Sequence, residues 1–206
     1  MALTGAVTAF VYQTCNIDQI PDDKFYRDKV AWYQAHPASG RVVILGDSIV
    51  WRGRWNQALP ECDMVMRGVE WETTTGALAR IDEIERVGAE IAVVMLGTND
   101  LEYSQDDQAI FARYRQIISR LNQRSDVFVL STTLRDVGQS EANFRIEKLN
   151  GALERECRSG SCAFMDLNSE IAPDGYILPE YTTDGIHLTP AAYERWRALL
   201  AESINC

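Results

Sequence analysis

Apolar residues occur along the chain in five short runs, and each run stops at a glycine or a polar residue. The runs cover residues 42–45, 64–66, 91–96, 127–130 and 162–165. Consecutive β-branched and aliphatic residues, as in the run Val42-Val43-Ile44-Leu45, are typical of buried strands in a parallel sheet. The pattern therefore predicts five strands.

The segments between these runs carry apolar residues at helical spacing, which predicts helices over 22–36, 73–87, 109–121, 140–157 and 191–203. The apolar positions of the first, second and fourth helices are Phe25, Val30, Trp32 and Tyr33; Leu78, Ile81, Ile84 and Val87; and Phe144, Leu149 and Leu153. Pro37 and Gly88 should end the first two helices, and Thr189 and Pro190 should begin the last. Alternating strands and helices predict a three-layer α/β/α sandwich with a five-stranded, mainly parallel sheet, in a single domain of residues 1–206.

Composition narrows the class of partner. Hydrophobic residues make up 46% of the chain and charged residues 24%, which is ordinary for a globular protein. A net charge of −10 argues against nucleic acid as a partner, and no apolar run approaches the length of a membrane span. The N-terminus has no Lys or Arg before Lys24, which is atypical of a secretory signal. A cytoplasmic location and a periplasmic or secreted one after signal removal both stay open, as does the oligomeric state.

The chain has five cysteines, at positions 15, 62, 157, 162 and 206. Cys157 and Cys162 flank a turn-like stretch, so they either close a small disulfide loop or remain free thiols in a reducing compartment. No pair of Cys-x-x-Cys elements is present, so we expect no structural zinc site.

Candidate chemistry lies at three predicted strand ends, at Ser48, Gly68 and Asn99. The segment 167–187 is long for a loop in a compact domain, which indicates a functional role, and it ends in Asp184-Gly185-Ile186-His187. Because a serine nucleophile needs a base, and the base needs an orienting carboxylate, this loop is the natural source of both.

Only two histidines are available as that base. His36 precedes Pro37 at the end of a helix, away from every predicted strand end, which leaves His187. Taken alone, Gly46-Asp47-Ser48 also fits a plain strand-to-helix turn in which Ser48 caps the following helix.

The motifs resemble those of a known family. Gly46-Asp47-Ser48 lacks the second glycine of the α/β-hydrolase nucleophile elbow and instead resembles block I of the SGNH (GDSL-type) hydrolases. Gly68 resembles the block II glycine, Gly97-Thr98-Asn99-Asp100 matches block III, and Asp184-Gly185-Ile186-His187 matches block V. The chain is closest in pattern to the acetylhydrolase-like serine esterases.

This resemblance implies a role for each matching residue. Ser48 would be the nucleophile, His187 the general base and then acid, and Asp184 its orienting partner. The main-chain N–H groups of Ser48 and Gly68 and the side-chain amide of Asn99 would form the oxyanion hole. The substrate would be a small ester, with acetyl esters of a carbohydrate or a small lipid as leading candidates, and no metal or organic cofactor is implied. We expect Asp47 and Asp100 to bond main-chain groups in their turns.

Block II departs from the family pattern. Acetylhydrolase-type relatives usually have Asn-Arg-Gly-Ile, whereas this chain has Met66 in place of the asparagine, and Glu70-Trp71-Glu72 replaces small residues before Thr73. This tryptophan and its flanking carboxylates lead us to expect a narrow, polar pocket that accepts a small acyl group, with Trp51, Glu70 and Trp71 as candidate substrate-binding residues. Alternatively, Trp71 turns away from the pocket and packs on the following helix. Trp51 and Trp55, which are four residues apart, could instead both pack on the sheet, and for Trp55 we expect this packing.

Other functions fit parts of the pattern. An acyltransferase or thioesterase would use the same three catalytic residues. A metal-dependent hydrolase would use Asp166, Asp184 and His187 as ligands. A non-catalytic carbohydrate-binding domain would need neither the base nor the nucleophile.

Overall fold

In the part of the chain that the structure describes, five strands form one sheet in which every strand is parallel to its neighbours. A computed structural model describes residues 21–103 and 105–206. Its strands are β1 (Val42–Gly46), β2 (Met64–Gly68), β3 (Ile91–Met95), β4 (Asp126–Leu130) and β5 (Ala163–Met165), in the spatial order β2-β1-β3-β4-β5. The five runs predicted as strands are thus confirmed, and the central strands β1 and β3 are buried along their whole length.

Helices flank the sheet and complete the predicted three-layer α/β/α sandwich. In the described residues they are α1 (Lys24–Ala35), α2 (Ser48–Trp51), α3 (Trp55–Ala58), α4 (Thr74–Ala79), α5 (Ile81–Glu85), α6 (Thr98–Glu102), α7 (Asp107–Leu121), α8 (Ser140–Glu156), α9 (Asn168–Ile171) and α10 (Pro190–Ile204). The segment predicted to be a long loop, 167–187, contains α9 and a 3₁₀ turn at Pro179–Tyr181. None of these helices is long and apolar enough to cross a membrane.

The predicted helix over 73–87 is two helices. α4 ends and α5 begins at Arg80, whose φ of −112° and ψ of 15° interrupt the helical geometry. The Arg80 side chain is buried, and it reaches Glu72, Glu83 and the carbonyl oxygen of Arg67. The apolar spacing of this segment does not reveal the break, because spacing does not record the hydrogen bonds that the buried Arg80 side chain forms.

Two helices bury different faces from those predicted. In α1, Tyr26 and Tyr33 are buried, while Phe25 and Trp32 are 43% and 50% exposed. In α8, Phe144 is not inward, because it is 57% exposed beneath the Lys148 ammonium group, which lies 4.3 Å from its ring centroid. The buried tyrosines find hydroxyl partners inside the protein, which explains why the more hydrophobic neighbours in α1 are left outside.

Four cysteines form two disulfides. Cys157 pairs with Cys162, which settles the alternative left open by their spacing, and Cys62 pairs with Cys206 across 144 residues of sequence. The second bond joins the 3₁₀ turn at Pro60–Cys62 to the residue that follows α10 by two positions. Cys15 lies outside the described residues.

Trp51 and Trp55 differ in how deeply they are buried. Trp55 is buried against Trp196 of α10, with ring centroids 4.5 Å apart, as the packing interpretation expects. Trp51 is only partly buried and meets the exposed Phe25 edge-on at 5.7 Å.

Candidate active site

Ser48 lies at the point where β1 ends and the short helix α2 begins. Asp47, not Ser48, caps this helix, because its Oδ1 accepts a hydrogen bond from the Ile49 N–H at 2.9 Å. The alternative in which Ser48 serves as the cap is therefore wrong, and its hydroxyl is available for other contacts. Asp47 is fully buried, and this burial raises its pKa to about 7.

Three hydrogen bonds hold the four-residue helix α2 in place, although a helix this short is not stable by itself. Besides the Asp47 cap, the Tyr193 hydroxyl of α10 donates to the Ile49 carbonyl oxygen at 2.7 Å. The Trp55 indole N–H donates to the Val50 carbonyl oxygen at 2.8 Å. The position of Ser48 is thus set by α3 and α10 as well as by β1.

His187 and Asp184 come together with Ser48 in one line of hydrogen bonds. Ser48 Oγ lies 3.1 Å from His187 Nε2, and His187 Nδ1 lies 2.6 Å from Asp184 Oδ2. With Nδ1–H donating to the carboxylate, Nε2 is left with the lone pair that accepts the serine hydroxyl proton. Such an arrangement can activate a serine for attack on a carbonyl carbon.

The Asp184 carboxyl is held in its ionised form. Partial burial opposes ionisation, but hydrogen bonds from the His187 main chain and ring and from the Ile186 main chain outweigh it and lower the pKa of Asp184 to about 2. The ionised carboxyl accepts the Nδ1–H and so fixes the orientation of the imidazole ring.

A tight loop presents Asp184 and His187. Thr183 N–H donates to the His187 carbonyl oxygen at 2.9 Å, and Gly185 N–H donates to Thr182 Oγ1 at 2.8 Å. Gly185 has a φ of +89°, which side chains rarely adopt, and a Cβ there would lie 2.6 Å from Asp136 Oδ2. Glycine at this position lets the loop close onto the segment between β4 and α8, where Asp136 N–H donates to the Gly185 carbonyl oxygen at 3.1 Å.

The other two predicted strand-end residues, Gly68 and Asn99, lie at or just after the ends of β2 and β3, the two strands that flank β1. Gly46 pairs in register with Gly68 on one side and with Met95 on the other, so the ends of β1, β2 and β3 are level. A Cβ on Gly68 would lie 2.6 Å from the main-chain nitrogen of Trp51, which shows how closely β2 approaches α2.

Asn99 is buried in the first turn of α6, immediately after β3. One hydrogen of its Nδ2 is donated to the Glu72 carbonyl oxygen at 2.9 Å, which leaves the second hydrogen for another acceptor. The sequence motifs thus converge at one edge of the sheet.

Comparison with known proteins decides the family. The sequence model of the GDSL-like lipase/acylhydrolase family matches residues 44–195, which include all the motif residues above. The chain belongs to this family. The family description names lipases and acylhydrolases, and the serine, histidine and aspartate found together at the sheet edge agree with that description.

Solved structures share the GDSL-type fold. A Streptococcus pneumoniae protein named for platelet activating factor superposes with a TM-score of 0.81 at 20% identity, covering 88% of this chain and 93% of that one. Axe2, an acetylxylan esterase from Geobacillus stearothermophilus, superposes with a TM-score of 0.67 at 12% identity, covering 82% and 95%.

Among curated relatives, the N-acylneuraminate cytidylyltransferase of Streptococcus agalactiae serotype V is 28% identical over 102 residues. This match covers 49% of the chain but only 25% of that enzyme, so it spans about a quarter of the relative's length.

The residues that replace the usual block II pattern in this GDSL-type chain only partly follow the expectation. Glu70 forms an ion pair with Arg52 at 3.2 Å, and Trp71 is 49% exposed in a left-handed conformation with a φ of 67°. Glu72 does not line a pocket, because its carboxylate is fully buried against Arg80 at 2.6 Å. Burial also raises the pKa of Glu72, against the effect of Arg80.

A buried group of charged residues behind Gly68 and Asn99 went unrecognised in the sequence. We call it the Arg80 network. Its members are Arg67, Glu72, Arg80 and Glu83, with Tyr26 and Tyr33 above them. Two arginines could have indicated this network in the sequence: Arg67 in an apolar strand and Arg80 in a predicted amphipathic helix. A charged side chain buried at such a position requires a partner of opposite charge.

Asp100 also differs from expectation. Its buried carboxylate accepts hydrogen bonds from the Thr74 N–H and hydroxyl, so it joins α6 to the start of α4 rather than bonding only within its own turn. Burial raises the pKa of Asp100. Asp47, in contrast, bonds its own turn as expected.

The described residues offer no cluster of metal ligands for the alternative of a metal-dependent hydrolase. Asp166 Oδ1 accepts from the Asn168 N–H at 3.0 Å at the start of α9. Within residues 21–103 and 105–206, no three His, Cys, Asp or Glu side chains are grouped as metal ligands.

Proposed function

We propose that this protein is a serine esterase that hydrolyses short-chain carboxylic esters, above all acetyl esters, through an acyl-enzyme on Ser48. The observation that carries the proposal is the hydrogen-bonded line from Ser48 Oγ through the His187 ring to Asp184, with distances of 3.1 and 2.6 Å. Neither an acyltransferase nor a thioesterase is favoured over hydrolysis by a contact in this site.

In the first half of the reaction, His187 Nε2 takes the proton from Ser48 Oγ while that oxygen attacks the ester carbonyl carbon. The resulting oxyanion would receive hydrogen bonds from the Ser48 and Gly68 N–H groups and from the free Nδ2 hydrogen of Asn99. Loss of one such donor costs on the order of 3 kcal/mol of barrier. His187 then passes the proton to the departing alcohol, which leaves the acyl group on Ser48.

In the second half, His187 takes a proton from a water molecule that attacks the acyl-enzyme. Collapse of the second tetrahedral intermediate releases the carboxylic acid and returns the proton to Ser48. Asp184 stays ionised throughout, since its pKa of about 2 lies far below neutral pH, and it stabilises the imidazolium formed in each half.

The alcohol portion of the substrate is proposed to be a carbohydrate. Two similar proteins are named for carbohydrates, the acetylxylan esterase and the N-acylneuraminate enzyme. The exposed ring of Trp71 offers an apolar face for a sugar, and the Arg52–Glu70 pair offers hydrogen-bonding groups for its hydroxyls. Trp51, Glu70 and Trp71 are therefore the proposed substrate-binding residues.

The test compares nitrophenyl acetate hydrolysis by the wild type, Ser48→Ala and Ser203→Ala, each checked for folding by circular dichroism. Ser203 is a matched control, because it lies in α10 and its hydroxyl donates only within that helix, to Leu199. We expect Ser48→Ala to lose nearly all activity, Ser203→Ala to keep it, and mass spectrometry to detect one acetyl group on Ser48 of the wild type. Equal rates in all three folded proteins would overturn the mechanism.

The small acyl group has its own test, which uses nitrophenyl esters of increasing chain length. Activity should be greatest with acetate and fall as the chain grows. A maximum at about eight carbons or more would contradict a pocket narrowed beside Gly68, and would favour a lipid ester.

A further inference from the structure

Arg80 is the centre of the Arg80 network, and each side of its guanidinium group has a partner. Its Nε donates to Glu72 Oε2 at 2.6 Å, its Nη1 to Glu83 Oε2 at 3.1 Å, and its Nη2 to the Arg67 carbonyl oxygen at 2.6 Å. The side chain is almost fully buried, so these contacts are shielded from water. The planar guanidinium holds all three acceptors in one fixed geometry.

One of these contacts acts on the Gly68 N–H. The Arg67 carbonyl and the Gly68 N–H belong to the same peptide unit, which is planar. A hydrogen bond that fixes the carbonyl oxygen therefore also fixes the direction in which the N–H points. The Tyr33 hydroxyl, which donates to the Gly68 carbonyl oxygen at 2.9 Å, restrains the next peptide unit.

A second contact acts on Asn99. Arg80 holds the carboxylate of Glu72, and the carbonyl oxygen of the same residue accepts from Asn99 Nδ2 at 2.9 Å. The Tyr26 hydroxyl donates to Glu72 Oε1 at 2.9 Å and restrains it from the side of α1. Glu72 is thus fixed at its side chain and in turn fixes the amide of Asn99.

We propose that Arg80 is a positioning residue for the oxyanion hole, which directs the Gly68 N–H through the Arg67 carbonyl and the Asn99 amide through Glu72. The proposal rests on the proposed function, because it needs these donors to face a developing negative charge. Donors help such a reaction only when they are aimed before the charge forms. Arg80 touches neither substrate nor reacting atoms, and it acts through two donors that are far apart in sequence.

The test substitutes Arg80→Lys and uses Glu83→Gln as the matched control. A lysine ammonium can still pair with Glu72, but it lacks the planar fork that reaches the Arg67 carbonyl at the same time. Glu83 is buried in the same network and contacts only the arginine side chains in it, so its substitution disturbs the network without touching either donor peptide.

With nitrophenyl acetate, folded Arg80→Lys should show a kcat about 10- to 100-fold lower than wild type with KM within about 2-fold, as expected for misdirected donors. Its affinity for a methylboronic acid, which forms a tetrahedral adduct with the serine, should fall by the same factor as kcat/KM. Glu83→Gln should keep kcat within about 3-fold of wild type. A purely structural role would lower the unfolding temperature of both variants and leave their kcat values alike.

Wild-type kcat in folded Arg80→Lys, or equal losses in both variants, would overturn the proposal. Should Arg80→Lys fail to fold, Tyr26→Phe decides, because it removes one restraint on Glu72 while keeping the ring. If Tyr26→Phe has a kcat about 2- to 5-fold lower than wild type at unchanged KM, the proposal is supported. An unchanged kcat in Tyr26→Phe overturns it. A parallel Ser48→Ala assay separates the two failures, since activity that survives that change would refute the serine mechanism itself.

Discussion

The thioether sulfur of Met66 lies 3.0 Å from the main-chain nitrogen of Gly68 and accepts a hydrogen bond from its N–H. The same sulfur is 3.2 Å from the Tyr33 hydroxyl. A thioether is a weak acceptor, so a developing oxyanion, which forms charge-assisted hydrogen bonds, can replace it on the Gly68 N–H. Met66 is the residue at which block II departs from its relatives. In the free protein its sulfur therefore accepts the hydrogen bond of the Gly68 N–H, which is a proposed oxyanion donor.

Oxidation of Met66 should lower activity. A sulfoxide oxygen is a far stronger acceptor than a thioether sulfur and would hold the Gly68 N–H against the oxyanion, with a loss of about 10- to 100-fold in kcat. Met66 is only partly buried, whereas Met64, Met95 and Met165 are buried, so peroxide should reach it first among these four. Peptide mass spectrometry and esterase assays along a peroxide time course measure both events.

Met66→Leu is the control for this prediction, since it keeps the approximate volume and removes the oxidisable sulfur. This variant should retain its activity under peroxide treatment that inactivates the wild type. Equal inactivation of the two proteins would assign the loss to another residue.

Asp184→Asn should lower kcat by about 10³- to 10⁴-fold, because an amide neither stabilises the imidazolium nor enforces the required tautomer. Asp174→Asn, which changes an exposed carboxylate outside the site, should leave kcat unchanged. Both variants are assayed with nitrophenyl acetate at neutral pH. A folded Asp184→Asn protein with near wild-type kcat would mean that another group orients His187.

The lowered pKa of Asp184 also makes the free energy of unfolding depend on pH in a defined way. Its pKa in the folded protein, about 2, is below its ordinary value of 3.8, so its contribution is present above pH 3.8 and is lost as the pH falls towards 2. The difference in urea midpoint between the wild type and Asp184→Asn should therefore shrink between pH 5 and about pH 3. A constant difference would contradict the lowered pKa.

Asp47 should have the opposite pH dependence. Burial, together with the charges of Asp100 and Glu72, raises its pKa from 3.8 to about 7, against the hydrogen bond from the Ile49 N–H. The folded state then holds a proton that the unfolded state releases, so the contribution is complete below pH 3.8 and is lost as the pH rises through about 7. The shift corresponds to about 4 kcal/mol at most.

Unfolding temperatures at pH 5 and pH 8 measure this effect. The wild type should lose more stability between these values than Asp47→Asn, in which no carboxyl is present to ionise. The same comparison with Asp22→Asn, at an exposed position, should reproduce the wild-type slope. An identical slope for Asp47→Asn would show that Asp47 is already ionised at pH 5.

The two disulfides should differ in their contribution to stability. Cys62–Cys206 closes a loop with a sequence separation of 144, and Cys157–Cys162 one of 5. The chain-entropy model assigns about 5 kcal/mol to the longer loop and about 2 kcal/mol to the shorter. Cys206→Ser should therefore lower the free energy of unfolding more than Cys162→Ser does, as measured in urea.

A thiol count checks the pairing itself. Unreduced protein in denaturant should react with about one equivalent of thiol reagent, since four of its five cysteines are paired. Five equivalents would mean that neither bond forms.

The sequence by itself determined the order and type of the elements that form the sheet. Runs such as 42–45 and 91–96 are apolar at every position, because both faces of a central parallel strand are covered by helices. It also located the motif residues at strand ends, where level parallel strands bring Ser48, Gly68 and Asn99 to one edge. Local chemistry was enough for these features, since each depends on residues that are close together in the chain.

Only the tertiary structure decided the features that depend on partners distant in sequence. The exposed side of α1, the break at Arg80 and the place of Glu72 all involve hydrogen bonds that link Glu72 and Arg80 to each other and to α1, β2 and α6. A buried charge or hydroxyl is stable only when its partners meet it with correct geometry, and spacing along the chain does not record which partners those are. For the same reason the bond between Cys62 and Cys206 became visible only in the folded chain.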